Sequence, residues 1–154
     1  MKTRIRHLVC VLAIAAATAS LGACSQASDL ASNLNSTIES AKSKASDLKA
    51  EGDRLLDQAK TLSADAKDKV STATQSAQQA ADNARAALDD LQAKKDSAEA
   101  SADDAQKKLE DAKSALDGLT SQLSGDELKQ VEAERDKIVA SLNDLIGQLE
   151  KAGN

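Results

Sequence analysis

The sequence predicts an all-α protein: one long extended amphipathic helix with a coiled-coil-like, alanine-rich seam, then a shorter C-terminal helix able to fold back as a lopsided helical hairpin. Three observations lead there. The 154 residues contain no Pro, Phe, Tyr or Trp, so no proline interrupts a helix and no aromatic ring is available to fill a globular core. Ala supplies much of the 41% apolar fraction. A buried Leu, Ile or Val contributes about 1.5–3 kcal/mol and an Ala methyl well under that, whereas Ala, Lys, Glu, Gln and Leu are strong helix formers. Finally, apolar residues return every three or four positions along most of the chain.

The first element is a leader. Lys2, Arg4 and Arg6 form a basic start, and Leu8 to Ala23 is mostly apolar or small. Interrupted by Thr18, Ser20 and Gly22, that run falls short of the roughly 20 apolar residues a spanning helix needs. It ends in Leu21-Gly22-Ala23-Cys24. This Leu-small-small-Cys pattern after an apolar run resembles the signal peptide of bacterial lipoproteins. The resemblance implies cleavage between Ala23 and Cys24, a diacylglycerol on the Cys24 sulfur, and an acylated new N-terminus. Two or more acyl chains, at about 0.8 kcal/mol per buried CH₂, anchor a protein stably without a membrane span. Residues 1–23 are then removed and 24–27 form a short anchored linker. With Cys10 lost and Cys24 alkylated, no thiol is left for a disulfide or a metal.

The long helix is expected over 28–123. Its row runs from Ala27 through Leu30, Leu34, Ile38, Ala41, Ala45 and Leu48, and on through Ala66, Val70, Ala73, Ala77, Ala80 and Ala84 to Leu109, Leu116 and Leu123, broken only by Gly52 and Lys95. The 96-position interval from 27 to 123 contains 27 steps, about 3.56 per step, between a strict heptad and a straight helix. Ser25 or Ser28 serves as its N-cap, and acid-before-base pairs such as Asp65/Lys69, Asp90/Lys94, Asp103/Lys107 and Asp104/Lys108 support its solvated face. As a single rod, 95 residues span roughly 140 Å at 1.5 Å per residue. The stretch from Ala64 to Ala105 has almost only Ala on its stripe, and either zips closely against another helix or stands alone in solvent.

Punctuation is clear only between Gly118 and Gly125, where Ser124-Gly125-Asp126-Glu127 matches a capping box. The C-terminal helix is expected over 124–150, with 151–154 a frayed tail. Leu128, Val131, Arg135, Ile138, Leu142, Leu145 and Leu149 form a heptad row with one polar intrusion, much richer in large apolar side chains than the middle. This seam either packs back on Leu88–Leu123 or associates between chains in a parallel homo-oligomer. It is the candidate partner or oligomer surface.

Removing residues 1–23 leaves 17 basic against 25 acidic residues, a net charge of −8 that disfavours nucleic acid. His7, the sole histidine, leaves with the leader, so no His-based catalytic or metal site is expected. Nor is there a phosphate-binding loop, a zinc spacing or a calcium loop. The reading is a non-enzymatic protein with no cofactor beyond the lipid on Cys24, no metal and no small-molecule substrate.

A lipidated Cys followed at once by an Ala- and Leu-seamed helix resembles the murein (Braun-type) lipoproteins. That resemblance implies a helical, oligomeric spacer in the cell envelope. The chain ends Glu150-Lys151-Ala152-Gly153-Asn154, without the terminal basic residue that family uses for wall attachment, so a covalent link to the wall is not carried over. The expected location is the outer face of the plasma membrane, or the outer membrane in a two-membrane cell. Two functions follow: a structural or spacer lipoprotein, or a lipid-anchored adaptor or inhibitor that binds an envelope protein through its C-terminal helix. A spacer satisfies its seam internally, whereas an adaptor leaves Leu128, Ile138, Leu142 and Leu145 available.

Overall fold

The computed structural model describes the backbone of residues 24–153 and the side chains of 32–152. It is all-α, with four helices: α1 (Cys24–Ala59), α2 (Ala64–Gln92), α3 (Ala98–Gln122) and α4 (Gly125–Gly153). Each reverses on the one before. Lys42 pairs with Asp89 and Lys49 with Asp82, so α1 and α2 are antiparallel. Lys108 reaches Asn83, and Lys69 reaches the Gln122 carbonyl, so α2 and α3 are too. The helices form a four-helix bundle: α1 packs on α2 and α4, α3 packs on the same two, and α2 meets α4 across the short diagonal.

The core is the apolar row. Ile38, Ala41, Ala45, Leu48, Leu55 and Ala59 of α1 are buried, as are Ala66, Val70, Ala73, Ala77, Ala80 and Ala84 of α2, and Ala102, Ala105, Leu109, Ala112, Leu116 and Leu119 of α3. On α2 a second stripe of Thr74, Ala81 and Leu88, seven residues apart, is buried as well, because this helix touches all three others. The Thr74 hydroxyl is satisfied by donating to the Val70 carbonyl at 2.7 Å. Of the two arrangements open to the Ala-lined middle, the structure adopts the close-packed one. Gly52 belongs to the same close approach: a Cβ there would lie 2.8 Å from Gln78 Nε2, which donates to the Lys49 carbonyl and to Asp53.

The row from 28 to 123 is helical but is not one rod. It is folded at 60–63 and at 93–97, so the longest helix is the 36-residue α1, about 54 Å at 1.5 Å per residue, rather than roughly 140 Å. Burial drives the reversals, because a thin seam left solvated along its length gains almost nothing. At the first turn Ser63 caps α2, its hydroxyl accepting from the Ala66 N–H at 3.4 Å. At the second, Lys94 N–H donates to the Leu91 carbonyl and Lys95 N–H to the Asp90 carbonyl, both at 3.1 Å, the hydrogen-bond pattern of a Schellman motif. Lys94 holds φ of 51°, a left-handed position usually taken by glycine. Asp90 therefore pairs with Lys95 at 2.7 Å rather than with Lys94. The expected pairs Asp65/Lys69 and Asp104/Lys108 do form.

At the N-terminal side α1 is already helical from Cys24, which puts Ser25 and Ser28 inside it rather than at its cap. The last turn of α2 meets α1 where Gln92 contacts Glu39 and Lys42. Residues of α1 before this level therefore project past α2. Ser32 to Ser36 are all exposed, and Leu34 is the one exposed large apolar side chain among the described residues.

Because a left-handed non-glycine residue is strained, Lys94→Gly should raise stability by about 0.5–1 kcal/mol, net of the added chain entropy. Urea unfolding checks this through an increased midpoint at unchanged slope; a lower midpoint would contradict the strain.

Candidate functional site

Two sequence features carry the functional expectations: Cys24, the expected lipidation position, and the C-terminal seam. Cys24 is the first residue of α1. Ala23, the rest of Leu21–Ala23, Cys10 and His7 lie outside the described residues. Cys24 therefore sits at the start of the projecting segment, at the same end as the 93–97 turn and the α4 C-terminus.

The seam faces inward. Val131, Ile138, Leu142 and Leu145 are fully buried, Leu149 is 2% exposed, and Leu128 is half-buried. Their neighbours are α1, α3 and, across the diagonal, α2. A single chain thus covers all six positions. The chain reverses at Leu123, which takes an extended conformation and donates to the Leu119 carbonyl, so the hairpin expected between the last two helices is present. Gly118, in contrast, lies within α3. Arg135, the polar intrusion, is 12% exposed and turns its guanidinium to Asp136.

The capping box at Ser124 forms as expected and extends further. Glu127 Oε2 accepts from the Ser124 N–H at 3.1 Å and from its hydroxyl at 2.8 Å, while the Ser124 hydroxyl accepts from the Glu127 N–H at 3.4 Å. The other carboxylate oxygen accepts from the Ser63 hydroxyl, the N-cap of α2. One side chain thus ties together the N-termini of the parallel helices α2 and α4. The Ser63 hydrogen bond, then those of Ser124, hold the Glu127 carboxyl at about 2, well below its ordinary range. Beside it, the Thr61 hydroxyl donates to Gln130 at 3.1 Å. The sequence carried a sign of this junction in Ser63 followed by Asp65, an N-cap and an acidic first turn.

Among the described residues no group of three or more His, Cys, Asp or Glu is placed to hold a metal ion, and no helix is long and apolar enough to cross a membrane. An open groove between α2 and α3 is lined by Asp65, Lys69, Thr72, Leu119 and Gln122. Lys69 spans it, bound to Asp65 at 2.6 Å and to the Gln122 carbonyl at 3.3 Å. No protein-family model, curated protein or solved structure matches the chain.

Two predictions follow from this geometry. Leu142→Ala should destabilise the isolated chain by about 2–5 kcal/mol in chemical denaturation, since the side chain is fully buried; a neutral effect would mean that the seam is open. The Glu127 carboxyl is depressed to about 2 from an ordinary 4.5, so its contribution is present in full above pH 4.5 and is lost as pH falls through about 2. Over that window stability should fall less steeply in Glu127→Gln than in the parent, as followed by circular dichroism; identical slopes would contradict the shared cap.

Proposed function

We propose that the chain is a lipid-anchored helical protein of the bacterial cell envelope, held to a membrane through Cys24 and acting as a structural or spacer element without enzymatic activity. The anchor rests on Leu21 to Cys24 and the basic, apolar leader before them. The observation that carries the spacer reading is the burial of Ile138, Leu142, Leu145 and Leu149 within the chain itself. An adaptor that works through this helix would keep those side chains available, and here they already have partners. The projecting start of α1 fits the same role: 12 residues from 24 to 35, about 18 Å at 1.5 Å per residue, stand between the lipid and the bundle. Of these 12, only Asp29 is charged, so the stalk offers no basic stripe to an anionic lipid surface.

Cys24→Ala should abolish palmitate labelling and leave an unprocessed precursor, because the thiol is the only acceptor for the diacylglyceryl group. Equal labelling of parent and variant would refute the anchor. A photo-crosslinking residue in place of the half-buried Ile146 should give only products within the chain. An adduct to an envelope protein would transfer the assignment to an adaptor.

A further inference from the structure

α1 and α4 are the first and last helices, and theirs is the only side of the bundle that no turn closes. Two side-chain pairs cross it in antiparallel order, Glu51 with Ser141 and Lys44 with Asp144, and beyond the end of α1 the 60–63 turn meets α4 through Thr61 with Gln130 and Ser63 with Glu127. Gln58 lies one heptad from Glu51 on α1, and Glu134 and Gln148 lie one heptad either side of Ser141 on α4, so they share the face of that pair. Polar residues thus recur every seven positions on this face of both helices, around Glu51 and Ser141. The middle pair is bonded, the Ser141 hydroxyl donating to Glu51 at 2.8 Å. Gln58 Oε1, Glu134 Oε2 and Gln148 Oε1 are buried with no hydrogen-bond partner in the chain, three of the four such atoms among the described residues.

A buried acceptor without a donor raises the free energy of the closed seam, and parting the helices returns it to water. The seam is also uneven along its length. Past its far end, the 60–63 turn that follows α1 is bonded to α4 by Thr61–Gln130 and Ser63–Glu127. At the end nearer Cys24 the two helices leave an open cleft lined by Ser36, Thr37, Ser40, Gln148 and Lys151. We propose that the bundle opens along the α1–α4 seam, hinged at the 60–63 and 123–124 turns and parting at the end that carries Cys24. Such a motion breaks no turn, and it uncovers Ile38, Ala41, Leu145 and Leu149.

Hydrogen exchange on the full chain in detergent tests this directly. Residues 142–149 of α4 should exchange at least ten times faster than 109–119 of α3, while 128–134 stay slow at the hinge. Gln148→Leu, and the triple change Gln58→Leu, Glu134→Leu and Gln148→Leu, should slow 142–149 at least tenfold by making the closed seam apolar. Fast exchange confined to 150–153 would be end fraying and would overturn the proposal. So would equal rates in 128–134 and 142–149, or rates that the leucine substitutions leave unchanged; the gradient in the parent decides the matter even if the triple variant fails to fold.

Discussion

A seam built largely of alanine can be desolvated only where helices come close together, and that requirement organises the whole molecule. Seven of the ten buried residues of α2 are Ala, and α2, like α4, is in contact with all three other helices. Small side chains bury little each, so α2 compensates by burying a wide face rather than a narrow stripe. Across the short diagonal stands α4, which contributes Ile138, Leu142, Leu145 and Leu149. The thinnest and the bulkiest helices thus face each other, large against small, as dense packing demands. α1 and α3, which do not touch, supply further large side chains, among them Ile38, Leu48 and Leu55 of α1 and Leu109, Leu116 and Leu119 of α3.

Polar groups set register around this core more than they hold it together. The Lys42–Asp89 and Lys49–Asp82 pairs lie one above the other, seven residues apart on each helix, and fix how α1 slides on α2. As partly exposed ion pairs they contribute at most about 1 kcal/mol each. The ends are more specific. Glu127 serves the N-termini of two helices at once, and Asp90 closes the opposite turn by accepting from Lys95 and Ser101. Both carboxyls are depressed by the hydrogen bonds they accept, Glu127 chiefly by Ser63 and Asp90 chiefly by Lys95.

The apolar row was legible because burial and helical period impose the same spacing; from Ile38 to Leu123 nearly every apolar member of it lies in the core. The reversals were not, because neither carries the usual punctuation. No Gly or Pro marks 60–63 or 93–97, and the left-handed position is filled by Lys94 at a strain the tertiary packing absorbs. The signs that existed were slight: Ser63 ahead of Asp65, and Lys95 interrupting the row. Leu34 shows the opposite limit. It fits the period as well as Ile38 does, yet it stands past the end of α2, and periodicity does not say where the neighbouring helix stops. The α4 seam was legible as a surface needing a partner, and its partner is the rest of the same chain.

The chain folds back at 60–63, and with that reversal a row periodic enough for a rod becomes a bundle. Ser46 and Arg85 are in contact across α1 and α2, the guanidinium Nη1 lying 3.3 Å from the hydroxyl. Were the row one helix, these positions would stand 39 residues apart, about 58 Å at 1.5 Å per residue. Spin labels at Ser46 and Arg85, read by double electron–electron resonance, should give a distance below about 20 Å, as neighbouring helices 8–10 Å apart require. A distribution centred near the length of the continuous helix would contradict the bundle.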